Sequence, residues 1–89
     1  MMKVTIKPTF LGHGAWIKGR EPFDEERDLS FTAKVFAKPS VHGVNGGGRI
    51  SKLEIRLGEE IIALYDRGWD IPVPEEAQPL YDAIVKELN

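Results

Sequence analysis

The sequence predicts an α+β protein, in which an antiparallel meander of four to five strands carries one C-terminal helix packed on one face. Two observations support this fold class. Residues 2–67 contain successive runs of alternating apolar and polar side chains, which is typical of half-buried strands. Residues 76–88 instead repeat their apolar side chains at helical spacing. Because a sheet with one apolar face must be covered, we expect this helix to lie on it.

Five segments show the alternation expected of strands. They cover about residues 2–10, 14–18, 29–38, 50–57 and 60–67. Gly12 and Gly14 flank His13 and would allow a tight reversal between the first two strands. Gly58 and Glu59 form a plausible two-residue hairpin turn, since glycine at the first central position suits type II′.

Two segments between the strands lack this alternation. Residues 19–28 are polar and rich in turn formers, which predicts an exposed loop. Residues 39–49 contain four glycines, and we expect a flexible connection that is the most mobile internal segment.

This second loop also has a superficial likeness to the phosphate-binding spacing G-x-x-x-x-G-K-[S/T], beginning at Gly43. Arg49 stands in place of the lysine and Ile50 in place of the hydroxyl that binds magnesium. A phosphate loop also leads into a helix, whereas this one precedes a strand. We favour a mobile inter-strand loop, and the alternative is a loop that orders on a partner.

The C-terminal helix is predicted to begin near Glu76. Pro72 and Pro74 exclude the preceding segment from a helix interior, whereas Pro79 is tolerated in a first turn. The apolar stripe comprises Ala77, Leu80, Tyr81, Ile84, Val85 and Leu88.

Length and composition limit the classes of protein to which this chain can belong. Eighty-nine residues predict a single domain over residues 1–89. The absence of cysteine excludes disulfides and thiolate metal sites, and no apolar run approaches the roughly 18 residues of a membrane span. The first residues lack the apolar block of a signal peptide, so we expect a cytoplasmic protein.

The net charge of −2 gives no general attraction to nucleic acid, but the charges are unevenly distributed. Residues 1–53 carry nine Lys/Arg against five Asp/Glu, whereas residues 54–89 carry three against nine. The split is compatible with a two-sided surface or with a self-complementary interface. Because the sheet also has two edges that one helix can hardly cover, we expect a homodimer.

A cationic sheet face around one aromatic ring is the first candidate site. Its candidate binding residues are Lys34, Phe36, Lys38, Arg49, Lys52 and Arg56. If the third and fourth strands pair, the ring lies among cations that can hold phosphates while it stacks on a base. The alternative is that Phe36 packs beneath Trp16 or the glycine loop and the lysines are merely solvated.

The exit of the fifth strand is the second candidate, and we interpret it as a structural corner. Its residues are Tyr65, Asp66, Arg67, Trp69 and Asp70. We expect the chain to turn at Gly68, Trp69 to be largely buried, and Arg67 to be held by Asp66, Asp70 or a helix-end carbonyl.

Catalytic and metal sites have little support in the sequence. Asp66, Asp70 and Glu54 could form a hydrolytic or magnesium-binding set, but their spacing matches no known motif. His13 and His42 lack a third zinc ligand. We therefore assign no catalytic residue, metal or cofactor.

Several short phrases resemble a small uncharacterised domain family of bacteria, especially Firmicutes, and their phages. These phrases are FTAKVF at 31–36, GRISKL at 48–53 and YDRGWD at 65–70, followed by the closing helix. The resemblance covers about residues 10–89 and implies no activity or site residues. It does imply phage or prophage origin, and for a phage-encoded protein it places the chain in the host cytoplasm.

The leading functional hypothesis is a small non-enzymatic protein of phage type that acts through protein–protein contact, in one version as an inhibitor of a host defence system. The first alternative is a nucleic-acid-binding protein that uses the cationic sheet face. The second alternative is a small hydrolase or nucleotide-binding enzyme that uses Asp66 and Asp70. Exposure of Phe36 on an open sheet face beside the cations would favour nucleic acid over a protein partner.

Overall fold

The computed structural model describes residues 3–8, 15–44 and 46–89, with side chains described from residue 15 onward. Its strands are β1 (Lys3–Pro8), β2 (Ala15–Pro22), β3 (Asp28–Ser40), β4 (Gly48–Leu57), β5 (Glu60–Asp66) and β6 (Trp69–Ile71). They form one antiparallel sheet in chain order. A 3-10 turn at Glu75–Ala77 leads into the helix α1 (Gln78–Leu88). The predicted α+β meander with one C-terminal helix is confirmed, and β6 adds a short edge strand.

Strand β2 is longer than the sequence predicted. The polar residues Arg20 and Glu21 continue the ladder opposite Ser30 and Leu29, so the predicted loop shrinks to residues 23–27. The loop prediction from turn-forming residues was wrong here, because one side of the sheet is open to water and a strand there can carry polar residues. The predicted reversal around residues 12–14 lies outside the described residues.

The shortened β2–β3 turn is closed by Asp24. Its carboxylate accepts the N–H groups of Glu26 and Arg27 and pairs with the Arg27 guanidinium at 2.7 Å. Hydrogen bonding to that guanidinium is the main cause that lowers the pKa of Asp24. An acid at this position therefore accepts hydrogen bonds from backbone N–H groups that would otherwise lack a partner in the turn.

The hydrophobic core lies between one sheet face and α1. On the strands it includes Phe31, Ala33, Val35, Ile50, Leu53, Ile55, Ala63 and Tyr65. Leu80 and Ile84 of the helix are 2% and 0% exposed. Pro79 lies within the first turn of α1, as expected. None of the helices in the described part of the chain is long and apolar enough to cross a membrane.

The glycine-rich segment between β3 and β4 is attached to the core. Val44 is 0% exposed and its N–H donates to the Ile50 carbonyl at 2.9 Å. The Asn89 side chain accepts from the Ile50 N–H at 3.1 Å and donates to the Val44 carbonyl at 3.2 Å. Although residues 39–49 lack alternation, this segment is therefore anchored through Val44. Its mobility stays a prediction, and Asn45 lies outside the described residues.

Candidate functional site

The sheet face opposite α1, here called the open face, carries no helix of the described chain. Cross-strand pairing arranges its residues in rows. The rows are Trp16–Lys34–Lys52–Asp66, Lys18–Thr32–Glu54–Leu64 and Arg20–Ser30–Arg56. Because paired residues point to the same side of a sheet, each row forms a contiguous strip on this surface.

Two aromatic rings flank one lysine on the open face. The Lys34 Nζ lies 5.8 Å from the centre of the Trp16 ring and 5.4 Å from that of Phe36. Both rings are partly exposed and neither belongs to the core cluster. The structure thus joins Phe36 and Lys34, as expected, and adds Trp16 as a second ring. The signal for Trp16 was its alternation with Lys18 and Arg20 along β2.

The open face is net cationic. From residue 15 onward, where side chains are described, its charged residues are Lys18, Arg20, Lys34, Arg49, Lys52 and Arg56 against Asp28, Glu54 and Asp66. Each acid contacts one cation: Arg20–Asp28 at 3.7 Å, Lys52–Asp66 at 4.0 Å and Arg56–Glu54 at 3.3 Å.

The other three cations, Lys18, Lys34 and Arg49, have no carboxylate within 4.0 Å in the described part of the chain. Their charge is therefore available to an anionic ligand.

Two of the predicted binding residues lie at the end of this face. Arg49 precedes the buried Ile50 on β4, so alternation directs its partly exposed side chain to the open face. Lys38 is exposed on the part of β3 between Val35 and Ser40, where pairing with β4 is irregular. It is therefore one more exposed cation near this end of β3, outside the regular ladder.

A depression of about 200 Å³ lies on the open face beside Trp16. Its lining residues are Trp16, Thr32, Lys52, Leu53, Glu54, Leu64, Tyr65 and Asp66. Since Leu53 and Tyr65 have core-facing side chains, the other six supply the side chains around the opening. The floor is largely apolar and the rim carries one ammonium and two carboxylates.

The opposite side of the molecule is acidic. Residues 75–89, which form the 3-10 turn and α1, contain four acids against Lys86. A net cationic sheet face thus lies opposite an acidic helix, although Glu54 and Asp66 of the acidic chain half lie on the open face.

The strand exit differs from the predicted corner at Trp69. This side chain is 40% exposed, so the expectation that it is largely buried was wrong. It makes edge-to-face contacts with Tyr65 at 5.0 Å and Tyr81 at 5.6 Å between ring centres. Because β6 is the last strand of the sheet, no further strand covers the indole. Tyr65 is buried, and its hydroxyl donates to the His42 carbonyl at 2.8 Å.

Arg67 and Gly68 also differ from expectation. Arg67 is exposed and contacts no carboxylate within 4.0 Å among the described residues, whereas Asp66 pairs with Lys52. The backbone reverses with Arg67 at φ 59°, and Gly68 does not have a positive φ. A single residue thus makes the bend, closed by the Asp66 N–H donating to the Gly68 carbonyl at 2.9 Å.

The acids proposed for hydrolysis or magnesium binding are brought together only in part, because Glu54 and Asp66 line the depression on the open face and Asp70 does not. His42 does not line it either. Within residues 15–44 and 46–89, no three His, Asp or Glu side chains are grouped closely enough to hold a metal ion. His13 lies outside the described residues.

Comparison with known protein families gives a match over most of the chain. A family model described as a domain of unknown function (DUF7678) matches residues 15–89, which includes β2 to β6 and α1. No curated protein and no solved structure matches the chain.

Proposed function

Because the chain belongs to the DUF7678 family, whose description states no activity, we propose a function from its own surface. The protein is a binding module without catalysis, and its open face binds single-stranded nucleic acid.

The observation that carries this proposal is the position of Lys34 close to both Trp16 and Phe36 on an uncovered, net cationic sheet face. Proteins that hold single strands stack bases on exposed aromatic rings and hold the backbone with nearby cations. Trp16 and Phe36 supply two rings with Lys34 beside them, and among the described residues neither Lys34 nor Arg49 has a carboxylate within 4.0 Å.

A single strand suits this surface better than a duplex. Stacking on protein rings requires the face of a base, and in a duplex those faces are covered by neighbouring base pairs. The open face is also a sheet, without a projecting helix that could enter a major groove. The interaction is therefore expected to favour unpaired DNA or RNA.

Fluorescence anisotropy with labelled single-stranded and duplex oligonucleotides tests the proposal. Trp16→Leu and Phe36→Leu should each weaken single-strand binding by about 1–3 kcal/mol, the range for loss of one base–aromatic stack. Phe23→Leu removes an exposed ring from the β2–β3 turn and should leave affinity unchanged. Equal effects of all three variants, or no binding at low salt, would refute the proposal.

The salt dependence gives a second, independent measure. If the three unpaired cations neutralise about three phosphates, the logarithm of the binding constant should fall with log salt at a slope of about −2. Lys34→Gln should make the slope shallower, whereas Lys86→Gln on the acidic helix side should not change it. A slope near zero would show that phosphates are not contacted.

A protein partner is the second candidate, and the exposed edge strand favours it. Trp69 is 40% and Ile71 38% exposed on β6, whose outer backbone edge has no partner strand in the described sheet. Such an edge can add a strand from another protein. In this version the chain is a phage or prophage accessory protein in the host cytoplasm, for example an inhibitor of a host defence system.

Edge pairing is also compatible with a homodimer. Light scattering at high micromolar concentration measures this, and a monomer mass would contradict it. A pull-down from a host lysate distinguishes the two functions. If the Trp69→Ser variant no longer captures a host protein that the Trp16→Leu variant still captures, the protein-partner function is favoured over nucleic-acid binding by the open face.

A further inference from the structure

We infer that the depression beside Trp16 is a subsite for one nucleobase that carries an exocyclic amino group, with Asp66 as the acceptor. This inference rests on the proposed function and specifies which base the open face selects. Its basis is the size of the depression, the position of Trp16 on its wall, and the chemistry of its rim.

The size of the depression suits a single ring system. Its volume of about 200 Å³ lies below the roughly 300 Å³ at which sites for drug-sized ligands begin. Trp16 and Asp66 are the ends of one cross-strand row, three strand spacings apart, so their Cα atoms are about 14 Å apart. The inner positions of that row are Lys34 and Lys52, and Lys52 also lines the depression, so a base stacked against the indole shares the depression with the Asp66 carboxylate and the Lys52 side chain.

The rim selects hydrogen-bond donors. Two carboxylates and one ammonium surround the opening, so acceptors outnumber donors among its charged groups. Glu54 is held by Arg56 through two contacts of 3.3 Å, whereas Asp66 has only the 4.0 Å contact with Lys52. In the described part of the chain, the Asp66 carboxylate accepts no hydrogen bond.

Asp66 is therefore the acceptor that remains for a ligand. A carboxylate accepts a hydrogen bond from the N4 amino group of cytosine. A base with a carbonyl at that position presents an oxygen, which is also an acceptor and is repelled by a carboxylate. Thr32 on the floor can donate or accept and so does not oppose either base. If Asp66 turns to the base, Lys52 is left to hold a phosphate in addition to the three cations that the proposed function uses.

The test compares oligodeoxycytidine with oligodeoxyuridine of equal length. The two bases have the same ring size and neither carries a methyl group, but cytosine has an amino group where uracil has a carbonyl. Anisotropy at fixed salt should show deoxycytidine bound about tenfold more tightly, the value of one hydrogen bond to a charged group. Asp66→Asn should reduce that preference to about twofold or less, since the amide can also donate to a carbonyl.

Asp70→Asn is the matched control, because it removes an exposed acid on β6 outside the depression and should leave the preference intact. Circular dichroism checks that both variants fold. Equal affinity of the wild-type chain for the two oligonucleotides would overturn the base subsite and leave single-strand binding standing. Absence of binding to either one would overturn both the subsite and the proposed function.

Discussion

Replacement of Ile84 by alanine tests the packing of α1 on the sheet. Ile84 is 0% exposed and belongs to the same core cluster as the central strands, so its truncation leaves a cavity. A buried isoleucine or leucine replaced by alanine costs about 2–5 kcal/mol. In a domain of this size each kcal/mol lowers the melting temperature by about 4–8 °C, so a fall of about 10 °C or more is expected.

Thermal unfolding followed by far-ultraviolet circular dichroism measures this change. Leu80→Ala, at 2% exposure, should behave like Ile84→Ala, whereas Lys86→Ala on the exposed side of the same helix should change stability by no more than about 0.5 kcal/mol. Unchanged melting curves for both core variants would refute the packing of the helix on the sheet.

Three further predictions follow from local geometry. Trp69→Ala should leave the domain folded, because the indole lies on an open edge. Its melting temperature should fall less than that of Ile84→Ala, and loss of the native circular dichroism spectrum would contradict this prediction. Gly43→Ala should destabilise the fold, since a Cβ there would collide with the Gly48 backbone, whereas Gly68→Ala, with open space around it, should be tolerated in denaturant titrations. Partial burial is the main cause that raises the pKa of the Tyr81 phenol. Because the unfolded chain then loses this proton at a lower pH than the folded chain, the free energy of unfolding should fall as pH rises above about 10. Tyr81→Phe should remove that part of the loss.

The sequence predicted the central strands and the helix because their apolar residues follow clear periods. Residues 29–38 alternate except at Phe36, and the structure extends this strand only to Asp28–Ser40. The ends of the sheet were harder to predict, because strands there carry polar residues on an open face and turn formers near their termini. Arg20 and Glu21 therefore looked like a loop, and Trp69–Ile71 looked like a corner before the helix.

The candidate site was predicted in part, since sequence periodicity assigns side chains to a face but does not identify neighbouring strands. Lys34 and Phe36 could be placed on one face of β3, and Lys52 joined them only through register. Trp16 was missed as a binding residue because its partner Lys34 is distant in sequence. Exposure of Trp69 could not be predicted either, since it depends on β6 being the last strand.

Amide and indole chemical shifts measured during titration with a single-stranded oligonucleotide test the central claim most directly. We predict that the perturbed signals belong to the open face, with the Trp16 indole N–H and the amides of β3 and β4 around Lys34 and Lys52 shifted most. Signals from α1 and from the Trp69 indole should stay in place. Perturbations confined to β6 and α1, with an unshifted Trp16 indole, would contradict the assignment of the open face as the nucleic-acid-binding surface.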